Sequence, residues 1–135
     1  NSAERLSLYT QLDEITDEAG IEAFSNMLED RFGKLPKQVN FLFEALRLRW
    51  MCKKLGFERL ILKGGKLRCY FVSDPQSSFY ETAQFNKIIQ FVGEKGRIMG
   101  FHLKQTNKEL IFVQDEVRGM KQTKGTLEVL LGVVS

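Results

Sequence analysis

The segment from Pro36 to Leu55 constrains the fold more than any other part of the 135-residue chain. Its apolar residues recur on two faces of a predicted helix, so that they nearly encircle it. Such a helix either lies at the centre of a core or is partly covered by a partner, and the central position is the favoured interpretation. Pro36 supplies a pre-set φ angle for the start of this helix, and Gly56 ends it.

Two amphipathic helices are predicted before this segment. The first covers residues 2 to 16, where apolar residues recur at helical spacing. The second begins after Asp17, because an aspartate there can accept a hydrogen bond from an otherwise unpaired backbone N–H. Gly33 ends it, since glycine tolerates the left-handed conformation that closes many helices.

The remainder of the chain is predicted to form two successive units of a hairpin followed by a helix. The Gly64–Gly65 pair suits a tight hairpin turn, because both residues accept a positive φ angle. The predicted elements are strands at Phe57–Leu62 and Lys66–Val72, a helix at Phe79–Val92, strands at Arg97–Leu103 and Glu109–Gln114, and a helix at about Met120 to Leu131.

The predicted fold class is α+β, with three N-terminal helices followed by ββαββα. We expect a four-stranded, mostly antiparallel sheet with helices on one face. The length fits a single domain over residues 1–135, with a helical part at 1–56 and a ββαββα part at 57–135. Because the chain lacks an initiating Met and opens on a helical pattern, we expect it to belong to a longer protein.

Composition predicts a globular protein, cysteine usage fits the cytoplasm, and we expect a monomer. Hydrophobic residues make up 43% and charged residues 27% of the chain, which disfavours disorder. No apolar run approaches the roughly 20 residues that span a bilayer. Cys52 and Cys69 are too few for a disulfide framework, and their apolar neighbours predict buried thiols.

Catalysis is not expected of this chain. His102 is the only histidine and lies in a predicted strand, which favours a structural role over a place in a nucleophilic or zinc site. The Gly64–Lys66 segment lacks the upstream spacing of a phosphate-binding loop. We therefore predict a non-enzymatic domain that has no cofactor or metal of its own and acts by docking onto other proteins.

Charge is distributed unevenly along the chain. Residues 1–33 hold two basic and eight acidic residues, whereas residues 34–72 hold ten basic and two acidic residues. This asymmetry can steer an acidic partner toward the middle segment. Alternatively, the two segments pack side by side and neutralise each other, and the sequence does not separate these readings.

The basic stretch at residues 47–68 supports an alternative function, direct nucleic-acid binding. Aromatic residues that could stack on bases are interleaved with it, namely Trp50, Phe57, Tyr70 and Phe71. Against this alternative, lysine and arginine on one helix are commonly its solvated face, and the aromatic residues also fit core positions.

Three blocks of the sequence resemble a known family. They are ERLSLY at Glu4–Tyr9, DRFGKLP at Asp30–Pro36 and ALRLRWMCKKLG at Ala45–Gly56. Their order and spacing are similar to those of the C-terminal domain of bacterial transcription-repair coupling factor, the Mfd family. Judged by its residues alone, DRFGKLP is a helix end, a glycine stop and a proline restart, which indicates a structural corner.

The resemblance implies a regulatory domain of a multidomain ATP-dependent DNA translocase, whose ATP and Mg²⁺ sites lie in preceding motor domains. In this family the domain packs against the UvrA-binding module of the same polypeptide and is released when the factor engages stalled RNA polymerase. That module is therefore the expected partner, with RNA polymerase as a further candidate. The chain departs from the family pattern at Gly119, Gly125 and Gly132, which predict a less regular last helix.

The contact surface is expected to use charged residues near the third helix and the first hairpin, with electrostatics setting the register of the contact. The predicted residues are Arg47, Arg49, Lys53, Lys54, Glu58 and Arg59.

Overall fold

The computed structural model describes residues 2–135, which form three helices followed by two hairpins, each with a helix after it. In chain order the elements are α1 (Ser2–Asp13), α2 (Glu18–Phe32), α3 (Lys37–Leu55), β1 (Phe57–Lys63), β2 (Lys66–Phe71), a single 3-10 turn (Ser78–Glu81), α4 (Ala83–Met99), β3 (Phe101–Gln105), β4 (Leu110–Gln114) and α5 (Met120–Val134). The predicted α+β class is confirmed. Within these residues, no helix combines the length and the apolar character that a membrane span requires.

The chain divides into two compact units, one ending at Trp50 and the other covering Met51–Ser135. The first unit has a core made by one or two residues from each of its three helices, namely Leu12, Ile21, Phe43 and Leu46. The rings of Phe24 and Phe43 meet edge to face, with centroids 6.4 Å apart. Asp17 caps α2 as predicted, because its side chain accepts a hydrogen bond from the Gly20 N–H at 2.8 Å.

The second unit is built on a four-stranded sheet with the order β1-β2-β4-β3, in which all neighbouring strands are antiparallel. Helices α4 and α5 lie on one face of this sheet. Phe85 and Phe91 of α4 contact Phe71 and Phe101 of the strands, with ring centroids 5.4 and 6.2 Å apart. From α5, the Thr126 hydroxyl donates a buried hydrogen bond to the side chain of Gln114 on β4.

The predicted hairpin turn at Gly64–Gly65 is confirmed, with φ angles of 60° and 75°. Gly56 ends α3, as expected, at a φ of 83°. A Cβ atom added at Gly56 would lie 2.3 Å from the Phe79 ring, so this position excludes a side chain for two independent reasons.

The segment between the two hairpins differs from the prediction. The expected helix at Phe79–Val92 is a 3-10 turn followed by α4, which Thr82 caps by accepting a hydrogen bond from the Phe85 N–H at 3.2 Å. The expected strand at Arg97–Leu103 is wrong over its first residues, because α4 continues to Met99 and β3 begins at Phe101. Ile98 caused this error, since it fits a strand alternation but is 84% exposed on the helix.

The ends of the outer helices also differ from the prediction. Helix α1 ends at Asp13, three residues earlier than expected, and α5 continues to Val134. The glycines at 125 and 132 are therefore accommodated inside a continuous helix. Both are exposed, and nothing lies within 4 Å of a Cβ atom added at either one.

Candidate functional site

An apolar groove of about 360 Å³ runs along the helical first unit. Its lining includes Leu8 and Tyr9 of α1, Phe24 and Phe32 of α2, and Val39 and Leu42 of α3. Three of these side chains remain substantially open to solvent, with Tyr9 at 50%, Phe32 at 54% and Leu42 at 38% exposure. Scattered exposed apolar residues are ordinary, but a contiguous apolar groove marks a surface suited to a partner.

Charged residues lie in and beside this groove. Arg5 contributes to its lining, and Arg31, which lies over the ring of the lining residue Phe32, forms an ion pair with Glu4 of α1. An interface with an apolar centre and a charged rim is typical of surfaces that bind other proteins, since the apolar centre supplies most of the binding energy. The groove therefore has the composition of a docking surface.

Arg47 and Arg49 were predicted as contact residues and lie on the α3 segment of the first unit. Arg47 makes a bidentate ion pair with Glu18, at 2.6 and 2.9 Å, and also pairs with Glu44. The hydrogen bonds that Arg47 donates to the Glu18 carboxylate raise the pKa of Arg47 against the opposing effect of burial, and Glu44 adds to the increase. Arg49 contacts Asp13 at 3.4 Å with its side chain 62% exposed. Of this pair, Arg49 is the one open to an external partner.

The other four predicted contact residues belong to the second unit. Lys53 and Lys54 are exposed at the end of α3, and the Lys54 carbonyl accepts a hydrogen bond from Gln84. Glu58 accepts a hydrogen bond from the Ser73 N–H at 2.9 Å, which holds its carboxylate against the backbone of its own unit. Arg59 pairs with Glu109 at 3.1 Å and lies over the ring of Tyr70.

The aromatic residues of the nucleic-acid alternative separate into two groups in the structure. Phe57 and Phe71 are 4% and 2% exposed and pack against each other, so they have no free ring face for a base. Trp50 is half-buried against the core of the first unit. Tyr70 is half-buried on the sheet face opposite α4 and α5.

Reactive chemistry has little support from the geometry. Burial raises the pKa of the Cys52 thiol to about 11, and burial also raises that of Cys69 well above its ordinary value. A thiol held in its neutral form is a poor nucleophile. His102 is exposed and lies 3.7 Å from Asp115. Over residues 2–135, no three His, Cys, Asp or Glu side chains gather as metal ligands do.

Comparison with known protein families identifies the family of this chain. The model of the TRCF domain family matches residues 1–82, which include all three blocks of the resemblance and the groove. The chain belongs to the TRCF domain family.

Relatives of the TRCF domain are consistent with this membership. The transcription-repair-coupling factors of Rickettsia bellii and Rickettsia typhi are each 33% identical to the chain over 60 residues. The match covers 44% of this chain but only 5% of each relative. The chain therefore corresponds to a small part of the length of these curated relatives.

A solved structure shares the fold of this TRCF domain chain. The crystal structure of the C-terminal domain of a transcription-repair coupling factor superposes with a TM-score of 0.64, covering 99% of this chain and 83% of that one. The two sequences are 19% identical in this superposition, so the likeness concerns the fold.

Sequence reasoning missed the groove of the first unit. By their spacing, Tyr9, Phe32 and Leu42 belong to apolar stripes that are expected to face a core, because periodicity indicates a face but not whether another element covers it. Leu6 and Phe41 belong to the same predicted stripes but are 66% and 60% exposed, so the sequence pattern contains no separate signal for the groove. The favoured interpretation of α3 as a fully central helix therefore holds for Phe43 and Leu46 but not for Phe41.

Proposed function

We propose that this TRCF domain is a regulatory docking domain, which covers the UvrA-binding module of its parent protein until the parent engages stalled RNA polymerase. The observation that carries this proposal is the apolar groove within the part of the chain that matches the family. An apolar groove left open in solution costs free energy, so a covering partner stabilises the assembly. The proposed parent is a cytoplasmic, ATP-dependent DNA translocase of transcription-coupled nucleotide-excision repair.

The proposed mechanism is a two-state switch. In the resting state the domain covers the module, and in the active state polymerase engagement releases it, so that UvrA gains the same surface. Because both parts belong to one polypeptide, the effective concentration of the domain at the module is high. A contact too weak to form between separate molecules can therefore keep the resting state closed.

The proposed contact has an apolar centre and a basic margin. Tyr9, Phe32 and Leu42 in the groove are the proposed apolar anchors, and exposed Arg49 supplies charge on the same unit. On the second unit, Lys53 and Lys54 remain predicted contacts. Arg47, Glu58 and Arg59 are weaker candidates, because internal ion pairs and hydrogen bonds already engage their side chains.

A competition assay tests this proposal. With labelled UvrA bound to the isolated module, adding this domain should displace UvrA in a saturable manner, whereas it should not bind UvrA itself. Tyr9→Glu should weaken displacement by tenfold or more, since a buried unpaired carboxylate costs several kcal/mol. The charge reversals Arg49→Glu and Lys53→Glu should each weaken it by a smaller factor.

Matched variants make the competition assay specific. Lys87→Glu on α4 changes the charge by the same amount at an exposed position outside the proposed contact, so it should displace UvrA as well as the unchanged domain does. Displacement that is insensitive to Tyr9→Glu would refute the groove as the contact. Failure of the unchanged domain to exclude UvrA, both when it is added separately and when it is joined to the module by the natural chain, would refute the masking mechanism itself.

A further inference from the structure

The sheet of the second unit has a second face, opposite α4 and α5, on which cations are concentrated. Strand pairing places Arg59, Tyr70, Ile111 and Lys104 in one row across the four strands. The neighbouring row consists of Ile61, Arg68, Val113 and His102, and the next contains Lys63 and Lys66. Directly opposed residues of antiparallel strands share a face, so these side chains form one surface, here called the basic sheet face.

The basic sheet face has a local surplus of positive charge. It carries five permanent cations, Arg59, Lys63, Lys66, Arg68 and Lys104, and two carboxylates reach it, Glu109 and Asp115. A local surplus of one sign attracts partners of the opposite sign, here anionic ones.

The spacing of the cations on the basic sheet face matches the spacing of negative charges along a flexible polyanion. Residues two apart on one strand lie about 6.6 Å apart, and adjacent strands lie about 4.8 Å apart. Lys66 and Arg68 are therefore separated by about one nucleotide repeat of an extended strand, and Lys104 lies two strands away from β2 on the same face. Four of the five cations are exposed, and Arg68 is half-buried.

A flat stacking platform lies among these cations. The guanidinium carbon of Arg59 lies 4.0 Å from the centroid of the Tyr70 ring. Aromatic rings and guanidinium planes are the two kinds of side-chain surface on which unpaired bases stack. Beside this pair, Ile111 and Val113 are 5% and 3% exposed, so the floor between the cations offers no open pocket.

We propose that the basic sheet face binds single-stranded nucleic acid, with phosphates on Lys66, Arg68 and Lys104 and a base on the Tyr70–Arg59 platform. A protein partner fits this face less well, because protein interfaces depend on apolar anchors inserted into pockets. Duplex nucleic acid fits it less well because its bases are already stacked and paired. This function is separate from docking through the groove of the first unit.

Fluorescence anisotropy of the full 135-residue chain with labelled oligothymidine and oligouridine of about 12 nucleotides tests this proposal. Saturable binding is expected at about 50 mM salt. Contacts to about three phosphates would weaken this binding roughly 20-fold at about 200 mM salt, since the affinity of single strands falls with a slope of about −0.7 for each phosphate. The ratio of the affinities for oligothymidine and oligouridine distinguishes DNA from RNA as the ligand.

Two pairs of charge reversals provide the control. The Arg68→Glu and Lys104→Glu double variant should weaken binding by tenfold or more, whereas Lys87→Glu with Lys95→Glu, the same charge change on α4, should weaken it much less. Tyr70→Leu should cost about tenfold through lost stacking while leaving the salt dependence unchanged.

Several results would overturn the proposal. These are an absence of binding at low salt, equal losses for the two double variants, tighter binding to a duplex of the same length, and displacement by polyglutamate at an equal concentration of charge. None of these results bears on the competition assay for docking, because the variants of that assay, Tyr9→Glu, Arg49→Glu and Lys53→Glu, lie outside the basic sheet face.

Discussion

At the scale of single residues, Gly56 joins the end of α3 to the start of β1 in a conformation that side chains disfavour. Its φ is 83°, and an added Cβ atom would meet the Phe79 ring at 2.3 Å. We expect Gly56→Ala to lower the free energy of unfolding by about 2–5 kcal/mol, the sum of left-handed strain and overpacking.

Urea denaturation measures the effect of Gly56→Ala, and Gly65→Ala is the matched control. Gly65 also has a positive φ, 75°, but nothing lies within 4 Å of its added Cβ atom. Its substitution should therefore cost only the strain, about 1–2 kcal/mol. Equal losses of unfolding free energy for the two variants would show that the Phe79 ring moves aside without any cost in free energy.

The two buried thiols predict a pH dependence of stability. The pKa of Cys52 is raised to about 11 and that of Cys69 is also raised, in both cases because burial disfavours the thiolate. In the unfolded chain these thiols ionise near pH 8.5. The neutral thiols therefore contribute full stability below about pH 8.5, and this contribution is lost as pH rises through the folded pKa.

Denaturation curves between about pH 7.5 and 10.5 measure this loss of stability. Because lysine and tyrosine also titrate there, the informative quantity is the slope of unfolding free energy against pH, compared with a Cys52→Ala and Cys69→Ala double variant. The double variant should have the shallower slope. Identical slopes would mean that the thiols ionise equally in the folded and unfolded chains.

At the scale of elements, α4 approaches β3 closely at one glycine. An added Cβ atom at Gly96 would lie 2.6 Å from the backbone oxygen of Phe101, whereas nothing lies within 4 Å of one added at Gly93. Alanine favours a helix over glycine by about 1 kcal/mol. We therefore expect Gly93→Ala to raise the melting temperature. We expect Gly96→Ala to lower it, because relieving its contact would require the backbone of β3 to move.

Differential scanning calorimetry of these two variants checks the packing of α4 on β3. Each variant adds one methyl group to the same helix, so helix propensity changes equally in both. An increase in melting temperature for Gly96→Ala would show that α4 lies farther from β3 than the structure places it.

The existence and the type of most elements could be predicted from local signals. The Asp17 cap, the Gly56 stop and the Gly64–Gly65 turn each depend on residues within a few positions of one another. The α4–β3 boundary could not be predicted in this way, because Ile98 satisfies both a strand alternation and a helix. Burial decides between them, and burial depends on long-range packing.

The interaction surfaces were less accessible to prediction than the elements. Arg59, Lys66 and Arg68 belonged to the predicted basic stretch, but Lys104 joins them only through the strand order β1-β2-β4-β3. Strand order depends on pairing between distant segments, which local periodicity does not specify. The groove could not be predicted for a similar reason, because it forms where three separate helices meet and local periodicity does not specify how they pack.

At the scale of the whole molecule, the two units differ in the chemistry of the surface that each exposes. The helical unit carries the apolar groove, and the unit with the sheet carries the surplus of positive charge. Apolar surfaces supply affinity for a protein partner, whereas charged surfaces supply attraction that weakens with salt. The proposed docking contact should therefore persist at salt concentrations that abolish nucleic-acid binding.

A calorimetric titration of this domain against the UvrA-binding module of the same protein tests the central claim most directly. The account predicts saturable one-to-one binding with a negative heat-capacity change, as burial of apolar surface requires. This binding should be displaced by UvrA and weakened by Tyr9→Glu. Absence of binding at high concentration, both with the separate domain and with the two parts joined by their natural chain, would contradict it.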